Sequence, residues 1–79
     1  MSKNNQTAKL PPQAVDLESA VLGACILSHS DFLEVADFLK PEMFYKEENQ
    51  KIYSAICSMS VAGDPVDLMT IVAKLQKIG

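Results

Sequence analysis

The side chains that could carry out chemistry are few in this sequence, and they stand far apart. His29 is the single histidine, and the turn in which it is predicted offers only Asp31 as a neighbouring carboxylate. Acid–base or nucleophilic catalysis needs a nucleophile and a base within hydrogen-bonding reach of each other. The sequence therefore predicts that His29 is a surface residue without a catalytic role.

Two cysteines and four carboxylates could be considered as metal ligands. Cys25 and Cys57 lie in apolar helical patterns without the spacing of a zinc site, so we expect two small buried hydrophobic side chains. The carboxylates stand where helices are predicted to begin, and helix capping is their expected role. They are Asp16, Glu18, Asp64 and Asp67.

Composition and motifs argue against several classes of ligand. The three glycines, at positions 23, 63 and 79, form neither G-x-x-x-x-G-K-S/T nor G-x-G-x-x-G, so we expect no cofactor in this chain. The net charge is −3, from 7 basic and 10 acidic residues. Because a nucleic-acid surface needs clustered lysine and arginine, direct nucleic-acid binding is not expected.

The length and hydropathy predict one small globular domain. The chain has 79 residues, of which 48% are hydrophobic and 22% charged. The longest apolar run, residues 20–27, is too short to span a membrane, and the first residues do not resemble a secretory signal. We therefore expect a cytoplasmic protein without membrane contact.

Apolar periodicity predicts an all-α fold, a small compact bundle of about four helices. A flexible polar tail at residues 1–10 precedes the helical domain at residues 11–79. The predicted helices cover residues 13–28, 31–39, 46–62 and 68–79, and no segment alternates with the period of a strand. Ser30 or Asp31 is expected to cap the second helix, Pro41 to stop it, Gly63 to end the third and Asp67 to cap the fourth.

The first predicted helix is apolar around most of its circumference. Gly23 costs stability in a helix interior, and close approach of another helix is the usual compensation. The helical spacing i, i+3, i+4, i+7 defines a stripe of Leu17, Ala20, Val21 and Ala24. Much of the other side is also apolar, so we expect this helix to be buried on several faces. The apolar residues of that side are Leu22, Ile26 and Leu27.

Most aromatic and methionine side chains are expected in the core. Phe44 and Met43 are predicted to plug it from the turn after Pro41. Tyr45 falls where the chain enters the third helix and is the best candidate for an exposed aromatic ring. Tyr45 and Met43 are therefore the candidate partner-contact residues.

Three blocks of sequence carry a resemblance to a known family. The first runs from Pro11 to Ala24 and contains Pro-Pro, Asp-Leu-Glu and Ala-Val-Leu-Gly-Ala. The second is Leu-Lys-Pro-Glu-Met-Phe-Tyr at residues 39–45, followed by residues 52–56, and the third is residues 63–70. In this order and at this spacing, they resemble the N-terminal domain of the bacterial replicative DNA helicases of the DnaB type.

The resemblance implies an interaction domain above a motor ring. In the family, this domain supports hexamer assembly and recruits primase, and in some systems it touches a helicase loader. ATP and Mg²⁺ belong to the motor domain of the parent protein, an ATP-dependent 5′–3′ DNA helicase, so no catalysis is expected from this chain. The family pattern also predicts that the chain is truncated before a helical hairpin.

This sequence departs from the family pattern at the start of the third helix. Asn49 stands where many relatives have histidine, and Lys46 where aspartate is a common helix cap. Loss of that cap is expected to weaken the third helix by about 1 kcal/mol.

Three alternative functions remain open at this point. The chain could be the helicase-binding helical domain of a primase, which is thought to share the fold, or a free-standing helical adaptor. The motifs of residues 11–24 favour the helicase. The third alternative, a small enzyme or nucleic-acid binder, is disfavoured by the absent catalytic pattern and the acidic charge.

Overall fold

A computed structural model describes residues 14–78, and within this range all regular structure is helical. The elements are α1 (Val15–Leu27), α2 (His29–Ala36), a short 3₁₀ helix (Pro41–Met43), α3 (Glu47–Ala62) and α4 (Leu68–Ile78). The all-α prediction of four helices is confirmed. The predicted tail at residues 1–10 and the predicted first helical residue, Gln13, lie outside the described residues.

The core is built around α3, which packs against α1, α4 and the 3₁₀ helix. Phe44, Tyr53 and Ile56 are completely buried. The Tyr53 ring lies 5.1 Å from the Phe44 ring and 5.9 Å from the Phe32 ring, measured between centroids. These spacings suit tilted aromatic pairs, which add to the free energy of burial. The other buried apolar residues of the core cluster are Leu22, Cys25, Phe32, Met59 and Ile71.

Two of the aromatic and methionine side chains, most of which were expected in the core, are exposed instead. Phe38 is 63% exposed and Met69 is 76% exposed. Phe38 follows the end of α2, where the chain has already left the helix, and Met69 lies on the outer side of α4. Apolar character alone did not identify which residues the fold covers.

Helix α2 begins two residues before its predicted start. Ser28 is its N-cap, with extended backbone, and the Asp31 N–H donates to the Ser28 hydroxyl over 3.2 Å. The cap predicted at Ser30 or Asp31 is therefore wrong. The helix also ends at Ala36, before Pro41 can stop it, and the Tyr53 hydroxyl donates to the Leu39 carbonyl at 2.8 Å just beyond that end.

The predicted end of the third helix and the predicted start of the fourth are confirmed, while the predicted end at Gly79 lies outside the described residues. Gly63 ends α3 with a left-handed φ of 77°, and the next N–H, of Asp64, donates to the Met59 carbonyl. This is the pattern of a Schellman motif, in which glycine avoids the steric cost of positive φ. At α4, the Thr70 N–H donates to the Asp67 carboxylate at 2.9 Å and the Asp67 N–H donates to the Thr70 hydroxyl at 3.0 Å.

Helix α1 buries a single face, whereas burial on several faces was predicted. Glu18, Leu22 and Cys25 are buried, whereas three of the four residues in the predicted stripe, Leu17, Ala20 and Ala24, are exposed. A helix that is apolar all round offers no periodicity from which the buried face can be read. The close approach expected at Gly23 is also wrong, because an added Cβ would meet no atom within 4 Å.

Candidate functional site

The candidate site is the segment of residues 41–46, here termed the entry turn because it leads into α3. Pro41 opens the 3₁₀ helix, where its fixed φ is favourable, and the Phe44 N–H donates to the Pro41 carbonyl at 3.1 Å. Phe44, the next residue, has an extended backbone and is fully buried against Tyr53. One buried ring thus anchors a turn whose neighbouring residues, Tyr45 and Lys46, are exposed.

Side chains of α3 hold the backbone of this region. Gln50 donates from Nε2 to the Phe44 carbonyl at 2.7 Å, and the Tyr53 hydroxyl reaches the Leu39 carbonyl. Both acceptors are carbonyls outside the α-helices, where helical partners are not available. The backbone on each side of Pro41 is therefore fixed by bonds from the same helix.

The third support of the entry turn comes from α1. Glu18 is completely buried, and its carboxylate accepts a hydrogen bond from the Tyr45 N–H at 2.6 Å and from the Asn49 Nδ2 at 2.8 Å. The Lys46 N–H donates over a longer distance, 3.5 Å, to Oε1, the same carboxylate oxygen that accepts from Asn49. Because charged acceptors make the stronger hydrogen bonds, this arrangement ties α1 to the start of α3.

The surroundings of Glu18 favour its charged form. Burial acts to raise the pKa of Glu18, but the hydrogen bonds from Asn49, the Tyr45 N–H and the Lys46 N–H act to lower it, together with the charge of Lys46. The net result is a pKa below the ordinary value of a glutamate. The negative charge also lies near the N-terminus of α3, where the helix dipole is favourable.

The role predicted for Glu18, at the start of its own helix, is wrong. The N-cap of α1 is Ala14, without a side-chain cap, and Glu18 points instead to residues 27 to 31 positions further along the chain. Lys46, the N-cap of α3, likewise has no side-chain cap. The two residues that depart from the family pattern, Lys46 and Asn49, therefore both contact Glu18. Asn49 does so as a side-chain hydrogen-bond donor.

The two candidate contact residues differ in exposure. Tyr45 is 51% exposed, as predicted, whereas Met43 is half-buried and lies outside the buried core, so its predicted role as a core plug is wrong. The Met43 Sδ lies 3.5 Å from the Lys40 nitrogen. Contact of either residue with a partner remains a prediction.

The remaining candidate residues do not come together as a catalytic or metal site within residues 14–78. His29 is exposed, with its ring 6.1 Å from that of Phe32. Cys25 is buried as expected and Cys57 is half-buried, and burial raises the pKa of both thiols. No group of three potential metal ligands occurs among these residues.

Several exposed apolar side chains were not identified from the sequence as surface residues. Leu27 is 88% exposed at the end of α1, and Val61 is 91% exposed near the end of α3. No helix within the described part of the chain is long and apolar enough to cross a membrane. The other large apolar side chains with substantial exposure are Leu17, Leu33, Phe38, Leu68, Met69 and Val72.

The fold defines the class of protein as a small all-α domain with a buried carboxylate clasp between its first and third α-helices. The family model of the DnaB-like helicase N-terminal domain matches residues 10–79. The chain belongs to this family.

Curated relatives agree with the family match. The chain is 40% identical over 67 residues to the replicative DNA helicase DnaB of Geobacillus stearothermophilus, and 42% identical over 67 residues to the replicative DNA helicase DnaC of Bacillus subtilis (strain 168). Each match covers 85% of this chain and 15% of the relative. A third, the replicative DNA helicase DnaB of Rhodothermus marinus, is 37% identical over 76 residues, which are 96% of the chain and 8% of that protein.

The chain thus spans a small fraction of the length of these relatives. No solved structure gives a significant match to it.

Proposed function

We propose that this chain is a protein-interaction and assembly domain of a hexameric replicative DNA helicase. The observation that carries the proposal is the family match over residues 10–79, together with relatives named as replicative DNA helicases. In this role the domain makes and breaks no covalent bond. The ATP- and Mg²⁺-dependent 5′–3′ unwinding proposed for the whole protein resides in its motor domain, and the location of the whole is the cytoplasm.

The proposed partners are further copies of the protein in the ring, the primase and, in systems that use one, the helicase loader. The entry turn supports a contact role because it presents the Tyr45 side chain on a backbone held by Glu18. Tyrosine is enriched at interfaces, since its ring contributes a large contact area and its hydroxyl can still form a hydrogen bond. Ordering this turn costs little on binding, because the fold has already fixed it.

The primase-domain alternative is less well supported. The matching family model is that of the helicase N-terminal domain, and the relatives compared above are helicases. The adaptor alternative differs from the proposal only in what the source gene encodes beyond Gly79. Reading the gene there tests it, since a P-loop motor domain is the expected finding and an unrelated domain or a stop codon contradicts the proposal.

The binding role is tested by titrating the 79-residue chain with purified primase, and separately with the loader, from the same source. We expect saturable binding to one of them, and Tyr45→Ala should weaken it by about tenfold or more, the effect of losing about 1.4 kcal/mol at an interface. Phe38→Ala is the matched control, because Phe38 is a similarly exposed ring outside the entry turn.

Absence of binding to both proteins, with no self-association, contradicts the proposed interaction role. Tight binding to single-stranded DNA with a steep salt dependence favours the nucleic-acid alternative instead.

A further inference from the structure

The buried carboxylate of Glu18 makes its hydrogen bonds outside α1, so the stability of its own helix does not explain its position. It has no solvent exposure, and its hydrogen-bond donors all belong to the region where the chain enters α3. An ionised group in such a position is costly unless it is fully hydrogen-bonded. The stronger backbone bond goes to Tyr45, whose side chain is half exposed to solvent.

These bonds differ from an ordinary helix cap. A capping side chain accepts from the second or third N–H inside the helix, whereas Glu18 accepts from Tyr45 and Lys46, which precede the first residue of α3. Its bond to Asn49 engages the side chain rather than the helical N–H. Glu18 therefore holds the backbone before the helix, at the residue that carries the exposed ring.

We propose that Glu18 is the positioning residue of the Tyr45 surface: its carboxylate fixes the Tyr45 backbone and thereby the direction in which the ring projects. The buried Phe44 ring fixes the preceding residue, and α3 fixes the residues that follow. Between them, the Tyr45 N–H has the Glu18 carboxylate as its acceptor. The geometric part of this inference stands on the fold alone, and only its consequence for a partner rests on the proposed function.

The geometric part is tested with Glu18→Gln in the 79-residue chain, observed by ¹⁵N–¹H NMR. Loss of the charged acceptor should move the Tyr45 amide proton upfield and raise its exchange rate by about tenfold or more, given the strength of hydrogen bonds to charged groups. Asp16→Asn removes the same charge from an exposed position on α1 and should leave the Tyr45 amide unchanged. An unaltered Tyr45 amide in Glu18→Gln overturns the inference.

A second variant separates positioning from helix stability. Adding Lys46→Asp to Glu18→Gln places an ordinary capping residue at the N-cap of α3, so the helix is stabilised locally while the Tyr45 N–H still lacks a charged acceptor at position 18. We expect the stability of the double variant to rise towards that of the parent chain and the altered Tyr45 amide to persist. Recovery of both properties reduces Glu18 to a structural role and overturns the inference. The double variant also carries the NMR test if Glu18→Gln alone does not fold.

The partner titration then compares the double variant with Lys46→Asp alone, because Lys46 is itself an exposed residue of the entry turn. A folded double variant should bind the partner at least about tenfold more weakly than Lys46→Asp does, a loss as large as that expected for Tyr45→Ala. If the parent chain binds neither primase nor loader, the proposed function fails while the NMR result still decides the role of Glu18. If the double variant binds with the affinity of Lys46→Asp alone, the positioning role at the partner surface is overturned.

Discussion

The entry turn and helix α4 show that apolar character and burial are different properties in this domain. The entry turn includes the charged residues Glu42 and Lys46, yet its own Phe44 and the contacting Glu18 of α1 are completely buried. Helix α4 has the more regular apolar stripe, but Ile71 is its one buried residue among those described, and Leu68, Met69 and Val72 are exposed.

The difference follows from how each region is held. Three side chains, Glu18, Gln50 and Tyr53, bond to the backbone in or just before the entry turn, in addition to the packing of Phe44. Helix α4 is capped locally by Asp67 and packs against α3, with Ile71 as its one buried side chain among the described residues. We therefore expect the entry turn to open only with the whole domain, and α4 to open locally at lower free energy.

The largest expected effect is that of Phe44→Ala. Removing a fully buried ring leaves a cavity and costs about 3–5 kcal/mol, a large fraction of the stability of a small domain. Urea unfolding followed by circular dichroism measures it. Phe38→Ala, at an exposed ring, should change the free energy of unfolding by about 0.5 kcal/mol or less. Equal effects of the two substitutions would break the contrast between buried and exposed aromatic residues.

The next effect tests whether α4 opens by itself. Ile71→Ala should lower the free energy that holds α4 against α3 by about 2–5 kcal/mol, because Ile71 is the buried residue of that helix. Hydrogen exchange should then show loss of protection in α4 while α1 and α3 keep theirs. Met69→Ala is the control on the exposed side of the same helix. Uniform loss of protection across the domain would show that α4 is as firmly integrated as the entry turn.

The Glu18 clasp should give a pH-dependent contribution to stability. Since the pKa of Glu18 in the folded state lies below its ordinary value of 4.5, the contribution is complete above pH 4.5 and is lost as pH falls through the folded-state pKa. At pH 7, Glu18→Gln should cost about 1.5–3 kcal/mol. The stability difference between the two proteins should shrink on acidification below pH 4.5, as urea unfolding at several pH values can show. A constant difference would contradict the ionised clasp.

The smallest expected effects come from the two internal glycines, and they have opposite signs. Gly63→Ala should destabilise the domain by about 1 kcal/mol, because its φ is positive. Gly23→Ala should stabilise it by about 0.5–1 kcal/mol, because the helical position has open space for a Cβ. Thermal unfolding measures both. A loss of stability at Gly23 would point to a backbone requirement in α1 that its geometry does not show.

Local signals along the chain were sufficient for much of the fold. Gly63 and Asp67 act on neighbouring backbone groups, so the end of α3 and the start of α4 follow from short-range chemistry. The start of α2 was misplaced because several residues near it can cap a helix, and Ser28 is the one that does so. The exposure of Tyr45 was also predicted from its place in a turn.

Local sequence patterns are enough to specify the helical fold class, the family resemblance and the helix limits that depend on capping residues. The packing of the helices, in contrast, specifies which face of α1 is buried and which groups Glu18 binds. An apolar helix has no preferred face until its neighbours are placed, and the bond between Glu18 and Tyr45 joins residues 27 positions apart. Such a contact depends on how the helices pack, whereas helical periodicity and capping preferences report only on residues close together in the sequence.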